Sequence, residues 1–160
     1  MKRQPGSKMC FVCGRENPIG LHVPFFVDGE TVVAEFVPQP EHQGYPGMMH
    51  GGLVTTLLDE TIGRAAFLRD MWAMTGRLEV RFRCPVPIGE KVTITSRITR
   101  VRDNVMEAEG EVRLADGTVA AEGRGLYLKV PDEQLQDLGT AAFGPGGLAA
   151  YLAEWKAEDE

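Results

Sequence analysis

Asp59 and Glu60 stand side by side in an otherwise apolar run, Leu53 to Leu68, that no proline interrupts. Leu53, Val54, Leu57, Leu58, Ile62, Ala65, Ala66 and Phe67 spread round most of a helical wheel, which predicts a helix wrapped on most sides by other structure. A charge carried into such surroundings is costly unless it is partnered or used. Glu60 has a partner in reach, because Arg64 lies four residues on and Thr56 one turn back. Asp59 has no cation three or four residues away in either direction. Its stripe carries Gly52, Thr55, Thr56, Ile62 and Gly63, mostly small, which leaves room for another molecule. Asp59 therefore either faces solvent or a strand arginine, or is a carboxylate free for general-base or nucleophilic work.

The second candidate is the helix start, His50-Gly51-Gly52. Glycines there expose backbone N–H groups, and the helix dipole adds positive potential, so developing negative charge on a carbonyl oxygen would be stabilised. The plainer reading is a turn whose glycines allow close packing. His50 at a helix N-terminus is disfavoured as a cation, so it either donates a hydrogen bond while neutral or anchors the loop. Gly52 and Asp59 share a face but lie about 10 Å apart along the axis. A base works within about 3 Å of its target or through one water. If both act on one bond they come from different subunits, which predicts a dimer with roughly antiparallel helices, the Gly52 amide of one chain facing Asp59 of the other.

The elements that must position these groups follow from pattern. Leu21 to Phe26 and Thr31 to Val37 read as strands joined at Asp28-Gly29, a hairpin-turn pair. Pro38 to Met49, with three prolines and two glycines, is a loop leading to the helix. Arg77 to Cys84, Glu90 to Arg102, Val105 to Leu114 and Thr118 to Val130 alternate apolar and polar residues, with turns at Asp103-Asn104 and Asp116-Gly117. Gly123 and Gly125 predict a bulge or bend in the last strand. Two strands, a buried helix and four more strands give an α+β fold, a curved antiparallel sheet folded round one long helix.

The chain has 160 residues, 17 Lys plus Arg against 23 Asp plus Glu, and a net charge of −6. That sign argues against a nucleic-acid partner. No apolar run approaches the roughly 18 residues of a membrane helix, and the polar opening lacks a secretion signal, so a cytoplasmic protein without a membrane partner is expected. Three cysteines fit a reducing compartment. We divide the chain into a leader at 1–20, a main domain at 21–130 and an extension at 131–160. The extension should hold a short helix with Leu148, Tyr151, Leu152 and Trp155 on one side, after the break Gly144-Pro145-Gly146-Gly147. In the leader, Cys10-x-x-Cys13 has the spacing of half a zinc site or a redox pair. Cys84, His22 and His42 are further donors, but no second close pair exists, so no metal is expected and the pair is read as packing.

His50-Gly51-Gly52, then Asp59 nine residues after the histidine, then Arg81-Phe82-Arg83-Cys84-Pro85-Val86-Pro87-Ile88-Gly89-Glu90, together resemble the hotdog-fold acyl-CoA thioesterases of the phenylacetate-degradation (PaaI-like) type. The likeness runs from about Leu21 to Val130. The leader, Cys10-Phe11-Val12-Cys13-Gly14 through Asn17-Pro18-Ile19-Gly20-Leu21, also resembles a branch of that superfamily. The resemblance implies that Asp59 is the general base or nucleophile, that the Gly52 amide binds the thioester oxygen, and that a Ser or Thr opening the strand after the helix assists. Thr75 occupies that place, ten residues before Pro85. Family members carry Asn or Gln six residues before the histidine, where this chain has Gly44. Gln43, one place earlier, is then the candidate for polarising the carbonyl, with His42 a competitor.

The resemblance implies coenzyme A as part of the substrate, with no separate cofactor. The coenzyme A phosphates call for local basic residues, and Arg81, Arg83, Arg97, Arg100 and Arg102, on strands or strand ends, are candidates, together with Gly51 at the helix start; the plainer reading of each arginine is a solvated sheet face. Met48, Met49, Trp72 and Met74 are candidates for an apolar acyl pocket. The assembly expected is a homodimer or a dimer of dimers. Rival readings are a hotdog dehydratase or hydratase, built on His50 and Asp59, and a non-catalytic acyl-CoA-binding module.

Overall fold

In the computed structural model, which describes residues 1–143 and 146–157, the period-two runs form one seven-stranded antiparallel sheet. The strands are β1 (Lys2–Arg3), β2 (Phe25–Asp28), β3 (Thr31–Phe36), β4 (Ala73–Phe82), β5 (Val92–Arg102), β6 (Val105–Arg113) and β7 (Val119–Lys129), in the order β1-β2-β3-β5-β6-β7-β4. Alternation decides which face is dry: Val32, Ala34, Val92, Ile94, Met106, Ala108 and Val112 are buried against the central helix α1 (Gly51–Gly63). That helix packs on β3 to β7 through Val54, Leu57, Leu58, Thr61 and Ile62. The expected α+β architecture is therefore the one observed.

Helix and sheet meet closely. Ile62 lies over the paired Gly110 and Gly123, where an added Cβ would stand 2.8 Å and 2.9 Å from its side chain. No bulge occurs at Gly123 or Gly125, where β7 pairs without interruption with both neighbours. These glycines instead clear space for Ile62 and for the ring of Tyr127, which a Cβ on Gly125 would meet at 2.2 Å. The irregularity beside the site is in β4, between Thr75 and Arg77. A buried bond from Ser96 Oγ to the Thr61 carbonyl, 2.7 Å, fixes the helix on the sheet.

Several boundaries differ from expectation. The long helix ends at Gly63 and continues as a 3-10 turn, Arg64–Arg69, closed by Asp70 in the left-handed conformation. The first strand begins at Phe25, because Leu21 and Val23 spend their N–H groups on the carbonyls of Phe11 and Val12. Residues 1–20 pack onto the sheet and helix: β1 pairs with β2, Val12 and Cys13 are buried, and Gln4 donates to the Arg64 carbonyl. β4 starts at Ala73, four residues before the first apolar-polar alternation, and so includes Thr75. Beyond β7, a helix α2 (Asp132–Phe143) that polar composition concealed precedes α3 (Gly147–Ala157). Leu152 is buried with Phe67. Gly144 and Pro145, and the side chains of Leu148, Tyr151 and Trp155, lie outside the described residues.

Candidate active site

Asp59 is half-buried at the middle of α1, and two hydroxyls reach one of its oxygens. Thr75 Oγ1 donates to Asp59 Oδ1 at 2.7 Å, and Tyr127 OH donates to the same atom at 3.0 Å. Thr75 and Tyr127 are direct partners in the β4–β7 ladder, so the sheet register delivers both together. No cation pairs with Asp59 among the described residues, which sets aside the strand-arginine reading. Two hydroxyl donors on Oδ1 leave Oδ2 as the oxygen with its lone pairs unspent. Burial, and then the neighbouring carboxylate of Asp59, push the Tyr127 hydroxyl well above the usual tyrosine range, so it stays a donor. A hollow of about 120 Å³ beside the acid is lined by Gly63, Phe67, Trp72, Ala73 and Tyr127.

Tyr127 is the residue the pattern did not single out. Its signal was present in the glycines: Gly63 on the helix and Gly125 two places before it both vacate the space its ring fills. Glu60 behaves as its spacing predicts, accepting from Arg64 Nε at 3.0 Å. Arg64 is itself buried, donates to the Pro5 carbonyl at 2.6 Å, and stacks over Phe25.

A second cavity opens at the helix start, about 810 Å³, lined by Gln43, Met48, Met49, His50, Gly51, Val54, Phe82, Arg83 and Val86. His50 is the N-cap, and its Nδ1 accepts the Gly52 N–H at 2.9 Å. That bond leaves the proton of a neutral ring on Nε2, and it occupies the amide expected to await a substrate oxygen. Gln43 faces the same cleft, with its Oε1 accepting from Gly47 N–H at 2.7 Å. Position 44 runs close to His50, where a Cβ would stand 3.1 Å from His50 Cα, a tight contact. His42 is a loop anchor, its Nδ1 accepting from the Gln39 N–H. Met48 and Met49 line the large cleft, Trp72 lines the hollow by Asp59, and Met74 is exposed on β4.

Of the basic candidates, Arg83 is at the large cleft but is bound to Glu122 through Nε and Nη2, and Arg97 is bound to Glu109. Arg81, Arg100 and Arg102 are exposed. Within one chain, then, the cleft of Gln43, His50 and Gly51 and the hollow of Asp59, Thr75 and Tyr127 are separate places on the same helix.

The leader adds a third group. Cys10, Cys13 and Glu60 place their ligand atoms within 4.8 Å of one another. The Cys13 N–H also points at Cys10 Sγ, 3.5 Å away. A hydrogen bond from the Cys13 thiol, against the opposing effects of burial and Glu60, lowers Cys10 to about 6, and the same bond raises Cys13.

Comparison with known proteins finds thioesterases. The thioesterase superfamily profile matches residues 46–121, the segment from the loop before α1 into β7. The acyl-coenzyme A thioesterase THEM4 of Bos taurus is 30% identical over 127 residues, 78% of this chain and 52% of that protein. The chain spans about half the length of the curated relatives it matches first. Among solved structures, the thioesterase superfamily protein RHA08564 superposes with a TM-score of 0.69 at 30% identity, covering 73% of this chain and 61% of that one. The E. coli PaaI protein from the phenylacetic acid degradation operon superposes with a TM-score of 0.65 at 17% identity, over 69% and 81% of the two chains, a likeness of fold. In its seven-stranded sheet and the helix packed on it the chain shares the fold of these solved structures, and in sequence it is similar to the thioesterase superfamily and to acyl-coenzyme A thioesterases.

Proposed function

We propose that this protein hydrolyses acyl-CoA thioesters to a free acid and coenzyme A, at a site completed by a second copy of the chain. The observation that carries the reading is the Asp59 carboxylate, held through one oxygen by Thr75 and Tyr127 and free at the other. In this reading Oδ2 takes a proton from a water, the water oxygen bonds to the acyl carbon, and the C–S bond breaks. The thiolate of coenzyme A leaves and recovers the proton from Asp59. Attack by Asp59 itself, forming an anhydride that water then opens, uses the same residues. Thr75 is a positioning residue for the acid in either case.

The thioester oxygen is assigned to the helix start of the facing subunit. For the Gly52 amide to serve it, the His50 ring must give up that N–H. The neutral ring's Nε2–H and the Gln43 side-chain nitrogen are the other donors on that cleft. Met48, Met49, Val54 and Phe82 offer the acyl chain apolar walls. Arg81, Arg83 and Arg100 are the groups we assign to the coenzyme A phosphates, Arg83 by exchanging Glu122 for phosphate.

The dimer is supported by the edge of the sheet. β4 is its last strand, carries Met74 and Phe82 at 59% and 55% exposure, and leaves a row of backbone groups without a neighbour strand. Because Thr75 lies on that same strand, pairing there would bring the two Asp59 sites together. A homodimer or a dimer of such dimers follows, in the cytoplasm, where the three free cysteines stay reduced.

The test is release of free thiol from short, medium, long and aromatic acyl-CoA esters by wild type and Asp59→Asn. Hydrolysis by wild type that is lost in a folded, still oligomeric Asp59→Asn supports the proposal. Undiminished turnover in the variant rejects the assignment of Asp59. Ligand-dependent stabilisation without turnover in wild type would favour a binding module, and change in enoyl absorbance without thiol release would favour a hydratase.

A further inference from the structure

The folded chain brings Glu60 of the central helix to the paired cysteines of the N-terminal segment, fifty residues away in sequence, and supplies the donor that the Cys10-x-x-Cys13 spacing lacked. We infer that Cys10, Cys13 and Glu60 form a zinc site that ties the N-terminal segment to the helix bearing Asp59.

The loop is shaped as a metal-binding turn is. The Gly14 N–H closes on the Cys10 carbonyl at 2.8 Å, and the Cys13 N–H points at Cys10 Sγ, an arrangement that favours thiolate over thiol. Gly14 has no room for a side chain, since a Cβ would stand 2.4 Å from the Cys10 carbonyl oxygen and 2.5 Å from its nitrogen. The turn thus projects both sulfurs toward one point, and α1 offers the carboxylate there.

Two thiolates and one carboxylate suit zinc by both softness and number, with water in the fourth tetrahedral position beside the partly exposed Cys10. Calcium and magnesium are disfavoured by the sulfur ligands. Arg64 fits the same account. It holds Glu60 by Oε1 alone, at 3.0 Å, leaving Oε2 for the metal and fixing the carboxylate plane. Zinc with two thiolates and a carboxylate has one net negative charge, which the buried Arg64 guanidinium balances. Arg64 also holds the Pro5 carbonyl, so metal, arginine and helix bind the segment as one unit.

The test is metal binding by the full-length chain, read apart from thioester hydrolysis. Elemental analysis of the reduced, purified protein should find close to one zinc per chain. After chelation, titration with cobalt(II) should give thiolate-to-cobalt charge-transfer absorption and the strong visible bands of a tetrahedral ion. Cys10→Ser and Cys13→Ser should lose the charge-transfer band. Glu60→Gln, which leaves the turn intact, should weaken cobalt binding by more than the about 10-fold that loss of an outer-shell partner costs. Zinc should raise the melting temperature of wild type and leave that of Cys10→Ser unmoved. Wild type that retains no zinc and gives no charge-transfer band with cobalt overturns the proposal whatever the variants do, as does cobalt binding by Glu60→Gln that equals wild type.

Discussion

Thr75 and Tyr127 face each other across the β4–β7 ladder, and their hydroxyls converge on the same oxygen of Asp59, at 2.7 Å and 3.0 Å. The pairing is a property of strand register. A slip of β4 by one residue would turn the Thr75 hydroxyl to the other face of the sheet and leave Asp59 with Tyr127 alone. The acid is thereby oriented by groups that carry no charge, which holds it in place without neutralising it.

Thr75→Ala should lower turnover without abolishing it, by about 10- to 100-fold, the cost of one hydrogen bond to a carboxylate of roughly 1.5–3 kcal/mol. Thr75→Ser should restore most of the loss, because the serine hydroxyl reaches the same oxygen. Steady-state thiol release measures both, and an unchanged rate in Thr75→Ala would remove the residue from the site.

Tyr127→Phe should cost stability as well as rate, since the hydroxyl is buried and donates to a carboxylate, a bond worth about 1.5–3 kcal/mol. The pH dependence gives a second readout. Folding raises the ionisation of Tyr127 above its unfolded value, so the folded state keeps a proton that the unfolded chain releases above about pH 10. The stability this group contributes is whole below that pH and falls as pH rises further. Urea unfolding from pH 9 upward should therefore show the gap between wild type and Tyr127→Phe narrowing, and a constant gap would contradict the burial of that hydroxyl.

Gly110→Ala should destabilise the fold by about 1–3 kcal/mol, the usual cost of overpacking. Its Cβ would stand 2.6 Å from the Thr95 carbonyl oxygen and 2.8 Å from Ile62, one of them backbone. Shortening the helix residue, Ile62→Val, cannot relieve the backbone conflict, so the double variant should remain less stable than wild type by thermal unfolding.

Replacing exposed apolar residues at and beside the β4 edge should dissociate the proposed dimer. Met74→Glu with Leu128→Glu alters a cross-strand pair in which both residues are exposed, so the monomer should fold normally. Sedimentation should show a smaller particle, and thiol release should fall with it, if the helix start and the acid of one site come from different chains as proposed. A monomer with full turnover would place the whole site within one chain.

Sequence alone determined the sheet, the helix and the position of the acid, because each is written in local periodicity. Alternation marks a strand wet on one side, and an apolar run without proline marks a helix wrapped by its neighbours. Asp59 stood out because no cation lay within a helical turn of it. Tertiary structure decided which groups meet. The partners of Asp59 lie 16 and 68 residues away, and only the β4–β7 register brings Thr75 and Tyr127 to it. Gly123 and Gly125, read locally as a bend, prove to be clearances for Ile62 and Tyr127, a need that exists only once a helix lies on the strand. The occupation of the Gly52 amide by His50, and the arrival of Glu60 at Cys10 and Cys13, are likewise contacts between segments. Periodicity records which side of an element is buried, and packing alone records against what.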